Sequence, residues 1–378
     1  MHLFIIDLFI SIDTISPIAD KLCKEEKKIF FFNSNFIQNH NSSNSELLKY
    51  LEKNKNFKLI NNFNLLNIKF ILFILLSKIC SFILNILKKK SYRIWKFLWL
   101  QDFPLSKKFL FYLIKKYQIK SITIVEDLPF KKYVFFRDVA IKAKIPIIMI
   151  PSGLTPITET KPVVLQEPSP DYFLSSNLFH KSQKKEIYRL LGSPRFSPTW
   201  IENLKYIYNI DKKKTFTVGI FTHPNEKTLL EFHKIRDKLL DKKINVLFKT
   251  KPREILPLKN TFQFKELGSS EIIEYSNLII SYPSSILLEA IQKHKPIIFP
   301  FYSESMIKKK GSFFENNDLF FFPENIDKLV SLIITLREKK ESFRYNEAKM
   351  NSFLKSTINF EDKNNILNNF YKFYREFE

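Results

Sequence analysis

The sequence predicts an α/β protein with two parallel sheets in series, and three observations carry that reading. Short apolar runs alternate with helical stretches from Leu3 to Ile150, which is the β–α–β rhythm of a parallel sheet covered by helices. The pattern turns polar between Pro198 and Lys214, and a fresh β–α–β series begins with Thr215 to Thr222. Within that second series, SYPSSILLEAIQKHK (Ser281 to Lys295) reads as the end of a strand, a Ser-Ser turn and a helix.

Composition bounds the function classes. At 378 residues and 45% apolar content, the chain has room for two domains with a core in each. The formal net charge of +23 is spread along the chain and favours acidic partners: nucleotide phosphates, anionic lipid or nucleic acid. A bias toward Lys, Asn, Ile and Phe accounts for much of it, and no nucleic-acid-binding motif accompanies it, so no nucleic-acid partner is expected. Cys23 and Cys80 are too few and too far apart for a disulfide framework or a thiolate metal site, which makes a reducing, cytoplasmic setting the default. The opening MHLFIIDLFI has neither a basic leading region nor a small-residue cleavage site and reads as a first strand. With glycine only at 153, 192, 219, 268 and 311, there is no G-x-G-x-x-G and no G-x-x-x-x-G-K-S/T, which excludes those two nucleotide fingerprints. No Asp-x-Asp pair or His/Asp/Glu cluster has metal-ligand spacing, so neither a catalytic metal nor a cofactor is expected.

In chain order, Leu3 to Asp7 is the first strand, followed by a loop through Ser11, Asp13 and Ser16 and a helix to about Lys24. Ile29 to Phe32 is the next strand, and Asn33 to Ser45 is a polar loop. Phe70 to Leu87 is the most hydrophobic stretch, but with Lys78 near its centre it falls short of the roughly 20 apolar residues of a membrane span. Ser77, Ser81 and Asn85 recur every four residues and form one stripe, so the stretch reads as an amphipathic helix. Lys88 to Lys90, Arg93, Trp95, Lys96 and Trp99 follow. Residues 70–99 thus read either as a peripheral membrane surface, with cations at anionic headgroups and Trp at the interface, or as a core helix followed by a solvated basic one.

Ser121 to Val125 is a strand that ends in Glu126-Asp127; a helix through Arg137 to Lys142 and a strand from Pro146 to Ile150 come next. Acids at the carboxyl end of a strand in a doubly wound sheet face the ligand crevice, or else they cap the next helix. Asp171 to Ser175 is a strand, and Leu191 to Arg195 is a turn after one more. Gly219, inside the strand Thr215 to Thr222, implies a close backbone approach to the facing domain or to a ligand, and that strand ends in His223-Pro224. Ile244 to Phe248 is followed by Lys249-Thr250-Lys251-Pro252-Arg253, a phosphate-binding candidate in which Arg253 offers a bidentate fork, or plain surface charge in a Lys-rich chain. Pro283 breaks the strand Leu278 to Ile280, Ser284 is the expected N-cap, and the helix through Ile286, Leu287, Ala290 and Ile291 stops at Lys295-Pro296, before a strand from Ile297 to Phe299. Ser284 and Ser285 then stand where a parallel α/β protein receives phosphate. Glu289 interrupts the apolar run and is costly there unless it meets a ligand hydroxyl or a cation; the plainer reading is a capped helix with Glu289 at its exposed edge. Leu319 to Phe322 is a last strand, and helices at about Ile326–Glu338 and Lys363–Phe377 end the chain.

IVEDLPF, then KTKPRE, then SYPSSILLEA followed by KPIIFP resembles, in order and type, the metal-independent bacterial transferases of CMP-activated sugars, the sialyl and Kdo transferases. It also resembles the wider group of surface-carbohydrate enzymes that includes CDP-glycerol glycerophosphotransferases. The resemblance implies a GT-B architecture of two Rossmann-like domains facing across a cleft. The N-terminal acceptor-side domain would span 1–205, the nucleotide-sugar domain 206–345, and C-terminal helices over 346–378 would pack back on the first. By position it implies Glu126 or Asp127 as general base, although Leu128 stands where those families carry Gly. Lys249-Thr250-Lys251-Pro252 matches a nucleotide-holding K-x-H-P motif with Lys251 in place of the histidine. Ser284-Ser285 matches the hydroxyl pair that binds donor phosphate, Glu289 falls where related enzymes hold the ribose, and His223 lines the diphosphate or the cleft. The implied function is glycosyl transfer from a nucleotide-sugar donor to a glycan or lipid-linked acceptor at the inner face of the cell membrane. Polyol-phosphate transfer, sugar-nucleotide epimerisation and non-catalytic polyanion or membrane binding are the alternatives.

Overall fold

The computed structural model describes residues 1–6, 9–33, 45–60, 104–126, 128, 130–151, 168–176, 185–207, 215–222, 226–249, 268–302, 318–338, 343–359 and 365–378. Asp127, His223, Lys251, Arg253, the 70–99 stretch and most of the polar 33–45 loop lie outside the described residues.

The first sheet contains β1 (His2–Ile6), β2 (Ile29–Asn33), β3 (Phe57–Ile60), β4 (Ser121–Val125), β5 (Ile147–Ile150), β6 (Tyr172–Ser175) and β7 (Tyr188–Leu190). All pair in parallel, in the order β3-β2-β1-β4-β5-β6-β7. Every residue of β1, β4 and β5 is buried, as a parallel sheet covered on both faces requires. His2 is tolerated there because its Nδ1 shares a 2.9 Å hydrogen bond with Ser121 Oγ; burial pushes its pKa down to about 3 and keeps the ring neutral. One face of the sheet is covered by α1 (Phe9–Lys24) and α2 (Ser45–Glu52), and the other by α3 (Pro104–Lys116) and α4 (Phe130–Ala143).

After α5 (Pro198–Ile207), the second sheet contains β8 (Thr217–Phe221), β9 (Asn245–Lys249), β10 (Leu278–Ser281) and β11 (Ile297–Ile298), parallel in the order β11-β10-β8-β9. It packs with α6 (Glu226–Asp241), α7 (Ser269–Tyr275), α8 (Leu287–Gln292), α9 (Ile326–Glu338) and α10 (Glu347–Ile358). The last helix, α11 (Asn365–Arg375), lies on the first sheet: Ile366, Phe370 and Tyr374 join the core of Phe4 and Phe31, and Tyr374 Oη shares a 2.7 Å hydrogen bond with Thr123 Oγ1.

Five expectations change. The chain from Ser11 to Ser16 is helix, not loop, because α1 starts at Phe9. Pro17 sits inside it and has no N–H to give the Asp13 carbonyl. The polar stretch after Pro198 forms α5 as far as Ile207: Trp200 and Leu204 enter the first sheet's core and Ile201 enters the second's, so the helix ties the two units together. Ser284 is not an N-cap, since α8 begins at Leu287 with Ile286 in the capping position and no side-chain cap. The Ser284 and Ser285 carbonyls instead accept from the Leu287 and Leu288 N–H groups, at 3.2 and 3.1 Å. Leu319 to Phe322 contributes one parallel bridge, Ile298 to Phe321, and not a strand. A Cβ on Gly219 would come 2.5 Å from Ser276 Oγ and 2.9 Å from Ile279 Cδ1, so the close approach is the end of α7 packing on β8, not a facing domain or a ligand.

Candidate active site

A doubly wound sheet receives its ligand outside the carboxyl ends of the strands, where the strand order reverses. That point falls between β1 and β4 in the first sheet and between β8 and β10 in the second. Glu126 follows β4 directly and is half-buried; its N–H donates to the Ile150 carbonyl at 2.9 Å, and the Leu128 N–H closes a turn onto Val125 O at 3.0 Å. Ser284 and Ser285 lie just past β10, both half-buried.

These edges face each other. Asp13, on α1 just beyond β1, interacts electrostatically with Lys249, the last residue of β9, and with Glu289 on α8. Arg195, on the 3₁₀ turn Pro194–Phe196 after β7, brings its guanidinium 3.4 Å from Asp13, with exposures of 17% and 20%. Gln292 Nε2 donates to the Phe196 carbonyl at 3.0 Å and ties the end of α8 to the same turn.

Burial pushes the Asp13 carboxyl up and the Glu289 charge adds to this, against the pull of Arg195 and Lys249. Burial pushes the Lys249 ammonium down, against Asp13 and Glu271. Burial also raises Glu271, although its carboxylate accepts a hydrogen bond from the Gly268 N–H and feels Lys249. Charges held against their desolvation cost, contributed by both sheets, mark a functional cleft better than any one of them does.

Glu289 differs from the exposed helix edge of the plainer reading. It is 3% exposed; Ser270 Oγ donates to its Oε2 at 2.8 Å, and Lys293 Nζ lies 3.2 Å from its Oε1. Lys293 in turn sits 2.9 Å from Glu274. A carboxylate has about four acceptor positions, so Glu289 retains capacity for a ligand hydroxyl.

The structure thus describes Glu126 on the first sheet's edge and Ser284, Ser285 and Glu289 on the second's. Sequence reasoning assigned no site role to Asp13, Arg195 or Lys293. Asp13 and Arg195 are far apart in the chain and meet only through the fold, whereas Lys293 is four residues from Glu289, and that spacing was readable. Among the described residues, no group of three His, Cys, Asp or Glu side chains could hold a metal ion, and no helix is long and apolar enough to cross a membrane.

No protein-family model matches the chain, and no curated protein matches it in sequence. Solved structures do match in shape. The wall teichoic acid polymerase TagF, soaked with CDPG, superposes with a TM-score of 0.53 at 10% identity, over 100% of this chain and 88% of its own. The UDP-GlcNAc 2-epimerase of Neisseria meningitidis bound to UDP-GlcNAc gives 0.51 at 10% identity, over 99% and 98% of the two chains. The fold is GT-B. A glycotransferase of kitacinnamycin gives 0.51 at 8% identity over 99% and 98%. At such identities the likeness is one of GT-B architecture: two Rossmann-like units with the carboxyl edges of their sheets turned to one cleft.

Proposed function

We propose that the chain is a glycosyltransferase that moves a sugar from a nucleotide-activated donor to a surface-polysaccharide or lipid-linked acceptor. The observation that carries this reading is the meeting of Asp13 and Arg195 with Lys249 and Glu289 across the crevice between the two sheets. Such a cleft separates an acceptor side from a donor side, and the nucleotide ligands of its GT-B neighbours support a nucleotide-linked donor. Lys249, Lys251, Arg253, Ser284, Ser285 and His223 take the donor phosphates, and Glu289 takes the ribose hydroxyls.

Glycosyl transfer needs the acceptor hydroxyl deprotonated as it attacks, and Asp127 or Glu126 acts as that base from the first sheet. With one of these paired acids as the base, the reaction inverts the anomeric centre. Asp13 is a further candidate base, because it stands on the first sheet's side facing Lys249 and Glu289 and burial raises its carboxyl. The leaving phosphate gains charge as the glycosidic bond breaks, and fixed cations and hydroxyls stabilise it. Closure of the units excludes water that would hydrolyse the donor. Residues 70–99 hold the enzyme peripherally at the inner face of the membrane, where a lipid-linked acceptor is found. Among donors, the resemblance favours a CMP-linked sugar, and Lys251 in place of histidine weighs against it.

Incubation with CMP-, CDP-, UDP- and GDP-sugars and a lipid-linked glycan acceptor, read by mass spectrometry, tests the proposal. An acceptor that gains one sugar mass supports it. Gain of a polyol phosphate, or an epimerised donor with the acceptor unchanged, overturns it in favour of the related chemistries.

A further inference from the structure

A second concavity lies at the opposite edge of the second sheet, where β10 begins. It has a volume of about 440 Å³ and is lined by Asn277, Lys293, His294, Lys295, Phe343 and Arg344. That size suits a small-molecule ligand. Its walls come from three places: the residue before β10, the turn that ends α8, and the segment leading into α10.

The frame is built. His294 adopts a left-handed backbone (φ 51°) that reverses the chain after α8, and the His294 and Lys295 N–H groups close that turn onto Ile291 O and Ala290 O, each at 2.9 Å. Tyr345 locks it from the other side, its hydroxyl donating to Lys295 O at 2.8 Å and its N–H to His294 Nδ1 at 3.4 Å. The Phe343 ring stands edge-on to Tyr345, with centroids 4.8 Å apart.

The lining is cationic. Lys293, Lys295 and Arg344 contribute three positive charges. The carboxylates of Glu274 and Glu289, which face Lys293 at 2.9 and 3.2 Å, offset two of them and leave a positive surplus. Lys295 Nζ is held at the rim by the Ser276 carbonyl at 2.6 Å. An arginine fork, an ammonium group and an aromatic wall around one small space recognise a phosphate group, by bidentate and charge-assisted hydrogen bonds.

We infer that this cavity binds a small phosphate-bearing anion, at a site separate from the donor cleft. Lys293 belongs to both regions: it lines the cavity and its ion pair holds Glu289, so occupation of the cavity reaches the cleft through one side chain. The assignment does not depend on the proposed reaction.

The test is thermal unfolding of the full chain with inorganic phosphate or phenyl phosphate at about 10 mM, where a weakly bound ligand should raise the midpoint by roughly 1–2 °C. It is repeated with Arg344→Gln, an exposed position, and with the donor-side pair Ser284→Ala and Ser285→Ala. The expected result is a rise that Arg344→Gln abolishes and the serine variant keeps. A larger rise with phenyl phosphate assigns the cavity to phosphorylated aromatics, and an equal rise assigns it to phosphate itself. No rise with either probe, a rise of equal size in Arg344→Gln, or a rise lost only in the serine variant overturns the inference.

Discussion

Glu289 and Asp13 are acids on the same cleft, one from each sheet, and the protein holds them in opposite ways. Glu289 has a hydroxyl on one oxygen and an ammonium beside the other, and only 3% of it meets solvent. Asp13 has a guanidinium at 3.4 Å, the repulsion of Glu289, and a burial cost that raises its carboxyl. A charge fixed by a hydroxyl and a neighbouring ammonium, with acceptor capacity left over, is a platform suited to holding a ligand. A strained one is suited to moving a proton. The contrast divides the proposed labour, with binding on the second sheet and chemistry on the first.

The largest expected effect tests that division. Asp127→Asn, Glu126→Gln and Asp13→Asn are compared for turnover and for nucleotide affinity. The true base should lose roughly 10²–10⁴-fold in turnover with affinity nearly intact, because general base catalysis contributes about that much. Loss of affinity with turnover preserved in all three would break the division.

Next in size is Lys293→Met. Burial lowers this ammonium, but Glu289 and Glu274 outweigh burial and raise it, so the charged form stabilises the fold below the unfolded value of 10.5, and that contribution is lost as pH rises through the folded value. With 12% of the side chain exposed, its removal takes the ammonium away from both Glu289 and Glu274 and should cost about 3–5 kcal/mol in denaturant unfolding. Near-neutral stability would mean that Glu289 is not held by this pair.

Gly219→Ala should follow. The added methyl meets Ser276 Oγ and Ile279 within the second sheet's own packing, so a loss of about 1–3 kcal/mol is expected, with nucleotide affinity unaffected. A selective loss of nucleotide binding would restore a ligand role to this strand.

Lys249→Met is the smallest effect and the one whose sign matters. Its ammonium is lowered by burial, so folding favours the neutral form, and its contribution is present above 10.5 and lost as pH falls through the folded value. At neutral pH the charge therefore costs the empty protein stability. The variant should unfold about 1–2 °C higher without ligand and bind nucleotide more weakly. A lower midpoint would place Lys249 with Lys293 as a structural cation.

Local patterns were legible where local physics decides. The strand Ser121–Val125 and the helix Ile326–Glu338 form where apolar periodicity and flanking breakers put them. The stretch after Pro198 was legible in part: Trp200, Ile201 and Leu204 have helical spacing, but the surrounding polar residues hid a helix that shares its faces between two cores. The cap at Ser284 failed because backbone carbonyls at 284 and 285 already close a turn that delays the helix to Leu287. For the site, the Ser-Ser turn and Glu289 could be read as a local pattern. Asp13 with Arg195 could not, because the strand order that brings them together is a long-range property.

The most direct test of the central claim is thermal unfolding against CMP, CDP, UDP, GDP and ADP without added metal, with Lys249→Met and the Ser284→Ala, Ser285→Ala pair alongside. A nucleotide-binding cleft predicts a midpoint rise for at least one nucleotide that both variants reduce. No rise with any nucleotide, or a rise unchanged in both variants, would contradict it.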